Sequence, residues 1–126
     1  MRELTRAEEQ VMKIIWEIKE GVIHDILHKI EEPKPAYNTI STIVRILETK
    51  GFISHKAVGR THIYYPLIGQ EEYTNRFFKN FLSKYFHGSF AELASTFTRW
   101  EDFSIGEMEE IQKLIAENIK KKGEES

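Results

Sequence analysis

The sequence predicts a mainly α-helical chain with one small β-hairpin. Three observations predict it. Apolar residues recur at helical spacing in three successive segments between Thr5 and Lys50. The period then changes to strand-like runs on either side of Gly59-Arg60. Beyond Pro66, aromatic and aliphatic residues return to helical spacing. With 40% hydrophobic and 30% charged residues in 126, the chain is a folded protein with a well-solvated surface, organised as one domain or two very small ones.

Thr5-Arg6-Ala7-Glu8 has the form of a capping box, with Thr5 at the N-cap and Glu8 reaching back. Val11, Ile14, Ile15 and Ile18 then give a first helix its apolar face, with Trp16 at the edge. Gly21 ends that helix or starts the next turn. Val22, Ile23, Ile26, Leu27 and Ile30 mark a second, shorter helix. Glu31-Glu32-Pro33-Lys34-Pro35 must break it, because prolines lack the amide hydrogen and disfavour helical geometry just before them. A third helix spans about Ala36 to Lys50, with Gly51 as its stop. Ile53 to Val58 and Thr61 to Pro66 flank the glycine turn as a hairpin. Three helices followed by a hairpin is the order of a winged helix-turn-helix, in which the hairpin is the wing.

The third helix carries two stripes. Ile40, Ile43, Val44 and Leu47 are apolar; Asn38, Ser41, Thr42 and Arg45 are short, polar and free of acid. A helix face made only for water usually carries Glu and Lys, whereas this one suits base edges and phosphates. Its first turns, Tyr37, Asn38, Thr39, Ser41 and Thr42, occupy the end that a recognition helix inserts into the major groove, with Arg45 one turn deeper. Between Pro33 and Pro66 lie Lys34, Arg45, Lys50, Lys56 and Arg60 against Glu48 alone, a locally basic middle in a chain of net charge −2. Affinity is expected from Lys34, Arg45, Lys50, Lys56 and Arg60 at phosphates, and specificity from Asn38, Ser41, Thr42 and Arg45. Thr61 and His62 stand beside the basic wing tip. The plainer alternatives are an amphipathic helix with a Ser/Thr-rich solvent face and a hairpin whose charges discourage edge pairing.

The domain division expected is 1–68 for the DNA-binding winged helix and 69–126 for a helical dimerisation domain. Tyr73, Phe77, Phe78, Phe81, Leu82, Tyr85 and Phe86 crowd one helix. Gly88 breaks it. Phe90, Leu93, Ala94 and Phe97 suggest a short helix, and Ser104-Ile105-Gly106-Glu107 opens a last one lined by Met108, Ile111, Ile115 and Ile119. The roughly sixty residues after Pro66 are few for an independent core; they either pack back onto the winged helix or, as so much apolar surface favours, pair with a second copy. A two-fold dimer would set two recognition helices about 34–36 Å apart, or a multiple of that, on a palindromic duplex. Lys120 to Ser126 is expected to be a frayed charged tail.

The chain has no cysteine, which excludes disulfides, thiolate metal sites and a cysteine nucleophile. Its N-terminus is too polar for a signal peptide and no run is long enough to span a bilayer, so a cytoplasmic protein without membrane insertion is expected. His24 and His28 have metal-compatible spacing, but no third His lies within reach and Asp25 or Glu31 would have to complete a site, so they read as surface histidines; no metal, cofactor or catalytic group is expected. Two rivals stay open. One is a winged-helix protein–protein module, which would show little salt dependence. The other is a small-molecule-responsive regulator with its ligand among Phe78, Phe81 and Phe86.

Several segments resemble a known family. Leu4-Thr5-Arg6-Ala7-Glu8 with Val11-Met12 and Trp16-Glu17 is similar to its opening. Tyr37-Asn38-Thr39-Ile40 with Thr42, Leu47, Lys50-Gly51 and Phe52-Ile53 resembles its recognition helix, and Gly59-Arg60 with Tyr64-Tyr65-Pro66 its wing. The family is the penicillinase repressors of the BlaI/MecI type, with the copper-responsive CopY repressors as relatives. The resemblance implies a homodimeric repressor on a palindromic operator. In the β-lactam branch it further implies a membrane sensor-protease and a cut in the C-terminal domain. The matching position here is Thr96-Phe97, where Thr96 replaces the family's Asn. The copper-responsive relatives use C-terminal cysteines, which this chain lacks.

Overall fold

The computed structural model describes residues 3–125; Met1, Arg2 and Ser126, the last residue of the expected tail, lie outside the described residues. The element order is α1 (Arg6–Ile18), α2 (Ile23–Lys29), α3 (Tyr37–Thr49), β1 (Ile53–Val58), β2 (Thr61–Pro66), α4 (Gln70–Phe86), α5 (Phe90–Phe97) and α6 (Ile105–Glu125). It is the mainly helical winged-helix order expected. The chain forms two compact units, Met1–Phe77 and Phe78–Ser126, whose boundary falls within α4. Among the described residues no helix is long and apolar enough to cross a membrane.

In the first unit the capping box forms as read. Glu8 N–H donates to Thr5 Oγ1 and Thr5 N–H to Glu8 Oε1, each at 3.2 Å. The apolar stripes of α1, α2 and α3 then meet: Val11, Met12, Ile15, Ile26, Ile40, Val44 and Leu47 are essentially inaccessible, with Phe52 and Ile53 from the start of the wing. α3 ends in a Schellman motif. Gly51, at φ 85, donates to the Glu48 carbonyl (3.1 Å) and Phe52 to that of Leu47 (3.0 Å), a left-handed step that glycine makes without a Cβ clash. The wing is a two-stranded antiparallel ribbon in the register Ile53↔Pro66 through Val58↔Thr61. Its two-residue turn has positive φ at Gly59 (64°) and not at Arg60, the sign pattern of a type II′ hairpin.

One sequence reading changes here. α1 stops at Lys19, which itself takes a positive φ (71°, with ψ −42°) and donates to the Ile15 carbonyl. Gly21 instead pairs with the wing: it donates to the Tyr64 carbonyl (3.0 Å) and accepts from Tyr64 N–H (2.8 Å). A Cβ on Gly21 would lie 2.8 Å from Ile18 Cδ1 and 2.9 Å from Asp25 Oδ2, so a larger residue must displace the ends of those two side chains. Trp16, placed at the edge of the first helix, donates from Nε1 to the Ile68 carbonyl (2.8 Å) and so ties α1 to the segment leaving the wing.

Tyr73 is a correction to the expected dimer face. It is buried in the first unit's core, with its ring 5.7 Å from Trp16 and 5.8 Å from Phe52. Periodicity cannot tell an apolar residue that faces a second copy from one that folds back onto its own unit. In the second unit, Leu82 and Leu93 are also buried. The aromatic rings there pair along the chain: Phe81 with Phe86 and Tyr85, Phe78 with Phe90, and Phe97 with Phe103 and Trp100. α6 continues through the charged segment to Glu125, so the tail from Lys120 is helical, as residues with good helix propensity and no proline permit.

Candidate nucleic-acid interface

Burying Ile40, Val44 and Leu47 turns the other face of α3 outward. Tyr37, Asn38, Thr39, Thr42 and Arg45 are exposed and Ser41 is half-buried. Ala36, at the N-cap, supplies no side-chain acceptor, and the first turn holds no acid. The leading amides of α3 are therefore uncapped by any side chain, and the positive end of the helix dipole is not offset. Thr42 Oγ1 donates to the Asn38 carbonyl (2.9 Å), which leaves the hydroxyl oxygen as an acceptor, suited to an amino group on a base edge. Arg45 spends one donor on Ser41 Oγ (3.4 Å) and keeps the others.

A cleft of about 550 Å³ opens beside this face. Its walls are Val22, Ile23 and His24 at the start of α2, Tyr37, Ser41 and Arg45 on α3, and Arg60, Thr61, His62 and Tyr64 on the wing. It has two guanidinium groups and no carboxylate. The His24 and Tyr37 rings meet at 4.9 Å across its mouth. Burial pushes the Tyr64 phenol above its usual range, helped by Glu48 and Tyr37 and opposed by Arg45, so it stays a hydrogen-bond donor.

The other expected phosphate ligands are placed differently. Lys34 turns its ammonium onto the carbonyls that end α2: Leu27 at 3.0 Å, His28 at 3.3 Å, and Ile30. Lys50 is mostly buried and holds Glu8 at 2.5 Å. Lys34 thus closes the end of α2 at the surface, and Lys50 joins α3 to the start of α1. Lys56 meets Glu20 at 3.0 Å with both side chains about half exposed, a pair weak enough to exchange for a phosphate. Of the basic residues read from the sequence, the cleft thus gathers Arg45 and Arg60. The sequence placed His62 at the wing tip and His24 on the surface of α2; it missed the link that sets the wing. Glu48, on the last turn of α3, holds His55 Nδ1 of β1 at 2.5 Å. A Glu seven residues before a His gives no helical or strand periodicity by which to find that pair.

The second unit has a surface of a different kind. α6 has no buried residue along its 21 positions. Met108, Ile111 and Ile115 join Phe78, Phe90, Leu93 and Phe97 around an apolar opening of about 270 Å³. Tyr85, Phe90, Ile111, Leu114, Ile115 and Ile119 stand exposed, as does Phe77 of the first unit. Thr96 and Phe97 end α5, with Thr96 Oγ1 bonded to the Glu92 carbonyl at 3.0 Å.

The family model described as penicillinase repressor matches residues 4–117. The methicillin resistance regulatory protein MecI of Staphylococcus aureus is 33% identical over 90% of this chain and 93% of its own length. A penicillinase repressor of Bacillus licheniformis is 24% identical over 97% of this chain and 96% of its own. Among solved structures, the complex structure of hsRosR-S4 covers 94% of this chain and 91% of that one, with a TM-score of 0.56 at 15% identity, a likeness of fold.

Proposed function

The chain belongs to the penicillinase repressor family and is a DNA-binding repressor, and from that premise we propose that it occupies a palindromic operator as a two-fold dimer. Each copy lays α3 in the major groove and rests its wing on the adjoining backbone. The observation that carries this reading is the acid-free cleft between α3 and the wing, where Arg45 and Arg60 converge beside the uncapped start of α3. Asn38, Thr39, Ser41, Thr42 and Arg45 read bases; Tyr37, Arg60, Thr61 and, after leaving Glu20, Lys56 hold phosphates. Repression follows from occupancy of a promoter, with no reaction catalysed, in the cytoplasm.

Residues 69–126 supply the dimer. A 21-residue helix with no buried position is a poor end state for a folded unit, and a second copy would cover it together with the apolar opening beside it. Release by a membrane sensor-protease is the matching switch. The Thr96-Phe97 bond sits in the last turn of α5, so cutting there requires that turn to unwind. Selection of bound duplexes from a random pool, followed by sedimentation of the complex, tests the reading. The expected result is a palindrome bound by two copies. Recovery of no preferred sequence, with binding insensitive to salt, would instead favour a protein–protein module.

A further inference from the structure

His62 lies on the same face of the wing as His55 and Tyr64. Ala57 stands opposite it in the ribbon and Tyr64 opposite His55, so the two histidines are diagonal neighbours. Their rings stack, with centroids 4.2 Å apart and planes within 13°. His55 is in turn held by Glu48 at 2.5 Å, which anchors the stack to the end of α3. His62 itself is exposed, has no hydrogen bond to a described residue, and lines the cleft that holds Arg45 and Arg60. The wing thus presents an imidazole on a rigid support, with its ring nitrogens free, where the proposed duplex must pass.

We infer that His62 is a phosphate ligand that takes up a proton from solvent as DNA docks. This rests on the DNA reading of the cleft and deepens it. The groups that face His62 are Arg60 at the turn, Arg45 on α3, His24 on α2 and His55 on β1, none of them an acid. Glu48 is the one acid near the stack, and it is occupied by His55; Tyr37 and Tyr64 are neutral phenols. A phosphate oxygen brought to the ring supplies a negative charge that the cleft's own walls lack, and it favours the imidazolium. The proton joins the free ring nitrogen and no other bond is made or broken. Histidine is the side chain that changes charge between about pH 5 and 8, so the uptake falls in the physiological range.

The test is the salt dependence of binding to a fluorescein-labelled duplex of mixed sequence, measured by anisotropy at about pH 6 and about pH 8. A mixed duplex suffices because phosphate contacts do not depend on sequence. For the wild-type chain, affinity should rise roughly fivefold at the lower pH, the factor one charge about 4 Å from another is worth in water. The slope of log K against log salt should steepen by about 0.9, the value of one more neutralised phosphate. His62→Gln should lose both the rise in affinity and the steeper slope at the lower pH. His62→Lys should show the low-pH slope at both. His24→Gln should keep the wild-type pH response. A full pH response in His62→Gln, or its loss in His24→Gln, would overturn the role of His62 while leaving the DNA reading intact. Salt-insensitive wild-type binding at both pH values would overturn the DNA reading and this inference with it.

Discussion

Replacing Lys50 by alanine should cost stability and leave the salt dependence of DNA binding unchanged. The sequence places Lys50 at the end of the recognition helix, where a phosphate contact is the natural expectation. The structure gives it a different task. Its ammonium lies 2.5 Å from Glu8 Oε1, with side-chain exposures of 15% for Lys50 and 7% for Glu8. Glu8 also closes the capping box of α1, so one carboxylate joins the start of α1 to the end of α3. Burial raises the Glu8 carboxyl, but the hydrogen bonds from Lys50 and Thr5 and the lysine charge outweigh it and hold it below its ordinary range.

Removing one partner of a fully buried pair costs about 3–5 kcal/mol, and the residual exposure of Lys50 brings the expectation to about 2–3 kcal/mol. For a unit of this size that is a fall in Tm of roughly 10–20 °C. Trp16 fluorescence in a Trp100→Phe background reads the unfolding of the first unit. The pH dependence follows in sign. A carboxyl depressed in the folded state contributes stability above its unfolded value, about 4.3 for glutamate, and loses it as pH falls through the folded one. The gap between wild type and Lys50→Ala should therefore close on acidification. An unchanged Tm combined with a salt slope reduced by about 0.9 would place Lys50 on the DNA and refute the reasoning.

Three further outcomes are expected. Thr42→Ala and Arg45→Ala should each reduce discrimination between operator and random duplex by about 1–3 kcal/mol per lost base contact, measured as the ratio of Kd values; variants that discriminate as wild type does would remove the polar stripe of α3 from the reading face. Gly21→Ala should destabilise the first unit by about 1–2 kcal/mol in urea unfolding, because its Cβ must push aside Ile18 and the Asp25 carboxylate that accepts from Val22 N–H at 2.9 Å; a neutral result would mean that both side chains move freely. Ile115→Asp should convert a dimer to a monomer in sedimentation, since two-fold symmetry places the charge in the interface twice; a persistent dimer would put the contact elsewhere than α6.

Most of the fold was legible because it rests on local physics. The Thr5–Glu8 box, the prolines before α3, the Schellman glycine at 51 and the turn glycine at 59 each act within a few residues, and each appears where the sequence placed it. The polar stripe of α3 was legible for the same reason: helical spacing sorts Ile40, Val44 and Leu47 from Asn38, Thr42 and Arg45 before any tertiary contact exists. Tyr73 shows the limit of that argument, since the spacing that marks it as apolar is silent on which surface covers it.

By itself, then, the sequence determined the order of the elements, the polar face of α3 and the basic tip of the wing, because backbone geometry and side-chain periodicity are properties of neighbouring residues. Only the tertiary structure decided which cations are engaged within the protein. Lys34 and Lys50 are as basic as Arg45 and Arg60, but folding brings helix-end carbonyls to one and a buried carboxylate to the other. It also set the wing against α3, through Gly21 on Tyr64 and Glu48 on His55. Those contacts join residues far apart in the chain or on different elements, and their energies exist only once the core has packed.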